Sequence, residues 1–129
     1  MKFIADLHIH SRFSRATARN LDFVTLHRSA LKKGIGLLGT GDFTHPGWMA
    51  EIEEQLVLAE DGFFMLKPEL KRASEAEVPK SCAGEVRFVL QTEISNIYKK
   101  NGLTRKNHNL VFLPTLDAAR SFSKKLSKV

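Results

Sequence analysis

Short apolar runs alternate along the chain with segments in which apolar residues recur every three or four positions. A short apolar run is typical of a buried strand, and the wider spacing is typical of a helix with one face on a core. Strands are predicted at residues 3–7, 35–40, 63–66, 87–92 and 109–113. Helices are predicted at residues 22–33, 46–59 and 116–129, with Gly34 ending the first helix and Pro46 beginning the second. The polar residues 70–84 predict a surface segment, and residues 99–102 predict a turn.

This alternation of strands and helices predicts an α/β protein with parallel strands. The 129 residues suffice for one domain with its own core. A TIM-like (β/α) barrel takes about 200 residues or more, whereas only four or five strands are predicted here. We therefore expect residues 1–129 to be a single domain, the N-terminal portion of a larger barrel that is incomplete at the C-terminus.

Side chains that can bind a metal follow three of the predicted strands. They are His8 and His10 after the first strand, Asp42 and His45 after the second, and Glu93 after the strand at residues 87–92. Residues i and i+2 of a strand share a face, so the two imidazoles of the first pair lie on one side, about 7 Å apart along the chain. In α/β barrels the active site forms at the C-terminal ends of the strands. Mixed nitrogen and oxygen ligands suit Zn²⁺, Mn²⁺ or Fe²⁺, and paired ions of this kind hydrolyse phosphoesters.

Each of these residues also has a structural explanation when it is taken alone. The two strand histidines could be polar surface, Asp42 a helix cap, Glu93 half of an ion pair and His45 an exposed loop residue. Their joint occurrence at strand ends favours the metal site. Phe43 and Trp48 flank the site and could stack on a displaced base, but core packing is the commoner role of such aromatic residues.

Composition narrows the class of protein further. Hydrophobic residues make up 43% of the chain and charged residues 26%, as in ordinary globular proteins. No apolar run approaches the ~18 residues of a membrane span, so no membrane partner is expected. The single cysteine, Cys82, excludes an internal disulfide and fits the reducing cytoplasm. The absence of a phosphate-binding Gly-x-x-x-x-Gly-Lys-Ser/Thr motif argues against a nucleotide cofactor.

The net charge of +6 is spread unevenly along the chain. From residue 94 onward eight basic residues face a single acid, whereas the first 93 residues sum to −1. This asymmetry suits a carboxylate-bearing site whose rim meets a polyanion such as DNA. A solvated basic face explains the same charges equally well.

Three motifs of the chain resemble those of the PHP (polymerase and histidinol phosphatase) domain family. They are Asp6-Leu7-His8-Ile9-His10-Ser11, Gly39-Thr40-Gly41-Asp42-Phe43-Thr44-His45-Pro46 and Gln91-Thr92-Glu93-Ile94-Ser95. The second motif, together with Ser14-Arg15-Ala16-Thr17 and His108-Asn109-Leu110-Val111-Phe112, is most similar to the endonuclease Q group. The resemblance runs the whole length of the chain. It implies a distorted seven-stranded (β/α) barrel, a zinc or manganese cluster, and cleavage of DNA beside deaminated bases such as uracil or hypoxanthine.

The resemblance also implies roles for individual residues. By position, His8, His10 and Glu93 correspond to ligands of the best-defined ion, and Asp42, His45 or both would serve a neighbouring ion. Many family members have an acid where Arg15 stands, so one metal site would be missing and Arg15 would instead meet a phosphate. In many members the second motif is a contiguous Thr-Asp-His, whereas here two residues separate the aspartate from the histidine.

We expect the basic residues of the C-terminal part to hold the DNA strand by charge. The predicted phosphate contacts are Arg15, Lys99, Lys100, Arg105 and Lys106. His108 precedes its predicted strand and would lie at the wrong end of a barrel, so we assign it a structural role. The predicted function is a metal-dependent DNA endonuclease. The alternatives are a small-molecule phosphomonoesterase of the histidinol-phosphatase kind and an inactive fragment that binds nucleic acid.

Overall fold

The computed structural model describes residues 1–15 and 17–129. Ala16, which belongs to the motif at residues 14–17, lies outside the described residues. The strands are β1 Ile4–Asp6, β2 Ile35–Gly39, β3 Leu56–Glu60, β4 Phe63–Leu66, β5 Arg87–Lys100 and β6 Leu103–Leu113. The helices are α1 Phe23–Lys33, α2 Pro46–Gln55, α3 Pro68–Glu75 and α4 Leu116–Leu126, with a 3₁₀ turn at Lys80–Cys82.

The strands of the described chain form one mixed sheet in the order β1-β2-β5-β4-β3, and β6 pairs with β5. The pairs β1–β2 and β2–β5 are parallel, as predicted, whereas the other three pairs are antiparallel. The prediction of parallel strands therefore holds for β1, β2 and β5 and fails for the pairs that include β3, β4 and β6. Two-residue turns join β3 to β4 and β5 to β6, and a turn of that length permits only antiparallel pairing.

Helix α1 follows its sequence signals closely. The carboxylate of Asp22 accepts a hydrogen bond from the Thr25 amide at 2.7 Å and so caps the first turn. Gly34 ends the helix with a left-handed φ of 70°. The predicted apolar face is buried, including Phe23 and Leu31.

Two segments differ from the prediction. Helix α2 ends at Gln55, and residues 56–60 form β3 instead of a last helical turn. The buried Leu56 pairs with the buried Leu66 of β4, so packing across the sheet overrides a helical spacing that Leu56 also fits. The polar residues 70–84 contain most of α3 and the 3₁₀ turn, not only a surface loop.

The hairpin of β5 and β6 is much longer than its apolar sequence suggests. Pairing runs without interruption from Leu90–Leu113 to Lys100–Leu103, although every residue of 95–110 is exposed. Asn101 and Gly102 form the turn with φ values of 54° and 75°, the left-handed pair that Asn-Gly hairpins adopt. Backbone pairing therefore extends the sheet well beyond its hydrophobic core.

The core is built around Trp48, which is completely buried. Its ring stacks on Phe23 at 4.6 Å between centroids, and its indole N–H donates to the Thr40 carbonyl at 2.9 Å. Phe43 is buried as well, so both aromatics that flank the site belong to the core. None of the helices formed by the described residues is both long enough and apolar enough to cross a membrane.

A pH dependence of stability follows from His27, which is buried in α1 with its Nδ1 2.8 Å from Ser74 Oγ of α3. Burial lowers the pKa of His27 below its ordinary value, against a smaller opposing effect of Glu75. The folded chain therefore favours the neutral imidazole, whereas the unfolded chain takes up a proton below about pH 6.5. The stabilisation is complete above that pH and falls by at most about 1.4 kcal/mol per pH unit as pH drops toward the folded pKa.

Urea unfolding at pH 7.5 and pH 5.5 measures this effect. The variant His27→Gln keeps a polar side chain opposite Ser74 but does not titrate, so we expect it to lose less stability between the two pH values than the wild type. Equal losses in both proteins would exclude His27 as the source.

Candidate metal centre

The parallel strands β1, β2 and β5 bring the predicted metal-binding residues to one edge of the sheet. His8 and His10 follow β1, Asp42 follows β2, and Glu93 lies in β5 beyond its last residue paired with β2, Val89. Parallel strands end at the same edge, and this alignment carries residues 85 positions apart in sequence into contact.

The side chains of His8, His10 and Glu93 form a cluster of three possible metal ligands within the described part of the chain. The Nε2 atoms of both histidines lie 3.0 Å from the same oxygen, Oε2 of Glu93. One donor atom from each residue falls within 4.8 Å of the others. The side chains of His8 and His10 are 50% and 38% exposed, against 14% for Glu93, so solvent reaches the group from the histidine side.

The donor set of this group fits a divalent transition metal. Two imidazole nitrogens and a carboxylate oxygen suit Zn²⁺, Mn²⁺ or Fe²⁺ and leave coordination positions open to water or substrate. Hydrogen bonds from His8 and from His108 hold the pKa of Glu93 below its ordinary value. Glu93 is therefore a carboxylate at neutral pH, which is the form that binds a metal.

Asp42 lies behind His10 and fixes its ring. Its Oδ1 is 3.1 Å from His10 Nδ1, and its Oδ2 accepts hydrogen bonds from the Ser11 amide, the Ser11 hydroxyl and the Ser14 hydroxyl at 2.6–2.7 Å. Burial alone raises the pKa of Asp42, but the accepted hydrogen bonds outweigh it and hold that pKa below its ordinary value. A carboxylate on Nδ1 fixes the tautomer in which Nε2 is free to bind a metal. Direct ligation by Asp42 stays a prediction.

The buried amide of Gln91 joins the two loops that carry these residues. Its Oε1 accepts hydrogen bonds from the Gly41 amide at 3.2 Å and from the Ile9 amide at 3.4 Å. A side chain at Gly39 would crowd this amide, because its Cβ would lie 2.6 Å from Gln91 Oε1 and 3.1 Å from Gln91 Cβ. Asp42 itself adopts a left-handed φ of 36°, which is uncommon for a residue other than glycine. The chain thus holds this loop in a restricted conformation beside His10.

His45 lies near the group but does not join it. Its Nδ1 accepts a hydrogen bond from the Gly47 amide at 3.1 Å, so it caps α2, and its ring stacks on Phe13 at 4.1 Å between centroids. Both rings line an open cleft of about 280 Å³ that Asp42 and Glu93 also line. Ligation by His45 stays a prediction, and the cap that we considered for Asp42 is made by His45 instead.

His108 is a site residue that the sequence prediction missed. It lies within β6, opposite Ser95, and its Nδ1 contacts Oε1 of Glu93. The prediction that it precedes its strand at the wrong end of a barrel was wrong, because β6 begins at Leu103 and runs antiparallel to β5. The Asn-Gly turn could have revealed this contact. Counting the same number of residues along both strands from the turn places His108 diagonally across from Glu93.

The predicted phosphate contacts lie outside the metal group. Arg15 is exposed in the loop after β1, and Lys99, Lys100, Arg105 and Lys106 are exposed in the outer part of the β5–β6 hairpin. Their binding to DNA stays a prediction.

Comparisons with known proteins place this fold beside one group of nucleases. The structure is similar to the lesion-specific endonuclease PfuEndoQ from Pyrococcus furiosus, with a TM-score of 0.70 and 27% identity over 97% of this chain and 25% of that one. It is also similar to endonuclease Q in complex with a 27-mer duplex that carries an abasic lesion at the active site, with a TM-score of 0.68 and 28% identity over 95% of this chain and 25% of that one. An uncharacterized protein of Methanocaldococcus jannaschii is 43% identical over 49 residues, which are 38% of this chain and 6% of that protein. No family model matches the chain.

The chain thus spans about a quarter of the length of the endonuclease Q structures that it matches. Its mixed α/β fold of six strands and four helices, as far as the described residues show it, is similar to that quarter.

The role of Asp42 behind His10 gives a quantitative expectation. Loss of a carboxylate that orients a ligand costs about 10–100-fold in metal affinity, whereas loss of a ligand abolishes the site. We therefore expect Asp42→Ala to weaken zinc binding by about 10–100-fold and His10→Ala to abolish it, as measured by competition with a chromophoric chelator. Asp61→Ala removes an exposed carboxylate from the β3–β4 turn and serves as the matched control. An affinity of Asp42→Ala equal to that of the control would contradict the assignment.

Proposed function

We propose that this chain is a PHP-type, metal-dependent DNA endonuclease domain of the endonuclease Q kind. The observation that carries the proposal is the convergence of the Nε2 atoms of His8 and His10 on one carboxylate oxygen of Glu93, in a fold similar to endonuclease Q over 97% of the chain. Such a domain cleaves a phosphodiester bond of DNA beside a lesion.

In this proposal the chain's own residues build and orient the metal site. Nε2 of His8, Nε2 of His10 and Oε2 of Glu93 would hold a Zn²⁺ or Mn²⁺ ion. When bound, such an ion supplies Lewis acidity toward a phosphate oxygen and lowers the pKa of water near it. Asp42 keeps the proton of His10 on Nδ1, and His108 engages the second oxygen of Glu93, which turns Oε2 toward both histidines.

The proposed substrate is duplex DNA with a damaged nucleotide, either a deaminated base or an abasic site. The relative in complex with DNA has an abasic lesion at its active site. The cleft beside the metal group supports a substrate of this kind, because it is open to solvent and its aromatic wall of Phe13 and His45 can face a displaced sugar or base.

The surroundings of β1 support the proposal that residues 1–129 are part of a larger barrel. Strand β1 is an edge of the sheet, and all three of its residues are exposed, Ile4 at 61%. Sheet edges with exposed apolar side chains are typically covered by another strand or helix.

The exposure of His8 supports a second candidate function, which is DNA binding without cleavage. With His8 half exposed, this chain can hold its ion more weakly than a complete barrel would. The basic β5–β6 hairpin favours either DNA-directed function over hydrolysis of a small phosphomonoester, since a small substrate has no need of charges so far from the site.

Cleavage of lesion-bearing duplexes tests the proposed function. We expect the purified chain with Mn²⁺ or Zn²⁺ to nick a labelled duplex of about 30 base pairs that carries one uracil, one hypoxanthine or one abasic site, and to leave an undamaged duplex intact. EDTA should stop the reaction. The variant His8→Ala/His10→Ala should lower the rate by more than about 100-fold, because loss of an orienting group alone costs 10–100-fold.

The variant Lys124→Ala/Lys125→Ala changes two exposed residues of α4 and controls for the general effect of substitution. Nicking that survives EDTA or the histidine substitutions would contradict the metal-dependent mechanism. Binding of the same duplex without nicking would support the second candidate.

A further inference from the structure

The outer hairpin, which we define as residues 95–110 of β5, β6 and their turn, is the most exposed and most uniformly basic part of the molecule. All of its residues are exposed. It carries Lys99, Lys100, Arg105 and Lys106, and no acidic residue occurs between Glu93 and Asp117. An uncovered ribbon with four positive charges and no negative one matches the backbone of a nucleic acid in charge.

Strand register divides these four charges between two faces of the hairpin. Successive side chains of a strand point to opposite faces, and directly paired residues of antiparallel strands share a face. Lys99 therefore lies on the face of Glu93, and Lys106, paired with Ile97, lies on the same face. The contact between His108 and Glu93 shows that this face, which we call the site face, carries the metal group at its base. Lys100 and Arg105 lie on the opposite face.

Distance along the ribbon distinguishes the two lysines of the site face. Lys106, paired with Ile97, is four residues beyond Glu93 along the ribbon, about 14 Å, whereas Lys99 is six residues beyond Glu93, about 20 Å. Two-stranded ribbons twist strongly, so the direction of the site face changes with distance from the sheet. The side chain of Lys106 therefore points in a direction closer to that of the metal group than the side chain of Lys99 does.

We propose that Lys106 binds a phosphate of the DNA strand that crosses the metal centre, and that Lys99 extends this contact toward the hairpin tip. Lys100 and Arg105 face away from that strand and contribute only diffuse attraction. The inference rests on the proposed function, because it takes DNA as the ligand of the site. The hairpin then binds phosphates through two lysines on the site face beyond His108, and not through all four of its basic residues.

Binding of the 129-residue chain to a fluorescent duplex tests the division into faces. The duplex carries a stable abasic analogue, and EDTA is present, so that neither bound metal nor cleavage enters the measurement. Each phosphate contact contributes about −0.9 to the slope of log affinity against log salt. We therefore expect Lys106→Ala to raise Kd by about 5–10-fold at 0.1 M salt and to reduce the slope by about one. Lys106→Arg should restore affinity to within about twofold, since it keeps the charge.

Arg105→Ala is the matched comparison, because it removes one charge from the neighbouring position on the opposite face. We expect it to raise Kd by less than about twofold with little change in slope. The pairs Lys99→Ala/Lys106→Ala and Lys100→Ala/Arg105→Ala repeat the comparison with two charges each. Circular dichroism establishes that each variant is folded.

Three results would overturn the inference. Equal losses for Lys106→Ala and Arg105→Ala would mean that the hairpin attracts DNA without regard to face. An unchanged Kd for Lys106→Ala would mean that the site face of the hairpin binds another partner, such as a second copy of the chain on the exposed Ile97. Absence of binding by the wild type would remove the DNA ligand itself.

The outcome is separable from that of the proposed function. Nicking without a difference between the faces would overturn only the inference on Lys106. A difference between the faces without nicking would support the inference while contradicting cleavage by this chain.

Discussion

The site depends on one buried amide, the side chain of Gln91. It lies in the central strand β5 and accepts the backbone N–H groups of Ile9 and Gly41, which belong to the two loops that follow β1 and β2. The Gly41 amide is buried, and a buried backbone donor left without a partner costs about 1–3 kcal/mol, so this penalty holds the loop after β2 to the amide. The side chains of His8, His10 and Glu93 therefore lie on a sheet whose loops after β1 and β2 are hydrogen-bonded to its central strand.

Around this amide the site is organised in successive layers of contact. The histidine nitrogens meet Oε2 of Glu93, Asp42 holds the far nitrogen of His10, and two serine hydroxyls hold Asp42. Outside these contacts the surface becomes basic, because the outer hairpin begins two residues after Glu93. A carboxylate site next to a positively charged ribbon is the arrangement that the proposed metal-dependent nuclease requires, since it needs a cation and a polyanion side by side.

Local sequence signals predicted the elements that are determined by interactions between residues close together in the sequence. The cap at Asp22, the stop at Gly34 and the periodic apolar residues between them predicted α1, and uninterrupted apolar runs predicted β2 and the start of β5. The convergence of His8, His10 and Glu93 followed from one topological rule, that parallel strands end at the same edge of a sheet.

The features that were missed depend on contacts between separate segments, which the residues of one segment alone do not reveal. The spacing of Leu56 fits helix α2, but its pairing with Leu66 places it in strand β3, and this pairing is not visible in the local sequence. The outer hairpin has few apolar residues, so periodicity could not reveal it, and His108 was misplaced with it. The support that Asp42 gives to His10 was also hidden, because the hydrogen bonds that form it join two loops about 30 residues apart.

Metal content of the purified chain tests the central claim most directly. After loading with zinc and removal of unbound metal, elemental analysis should find bound zinc in the wild type and none in Glu93→Gln, which replaces the shared carboxylate by an amide of similar shape. Zinc retained in equal amount by Glu93→Gln, or absent from the wild type, would contradict a metal centre built on His8, His10 and Glu93.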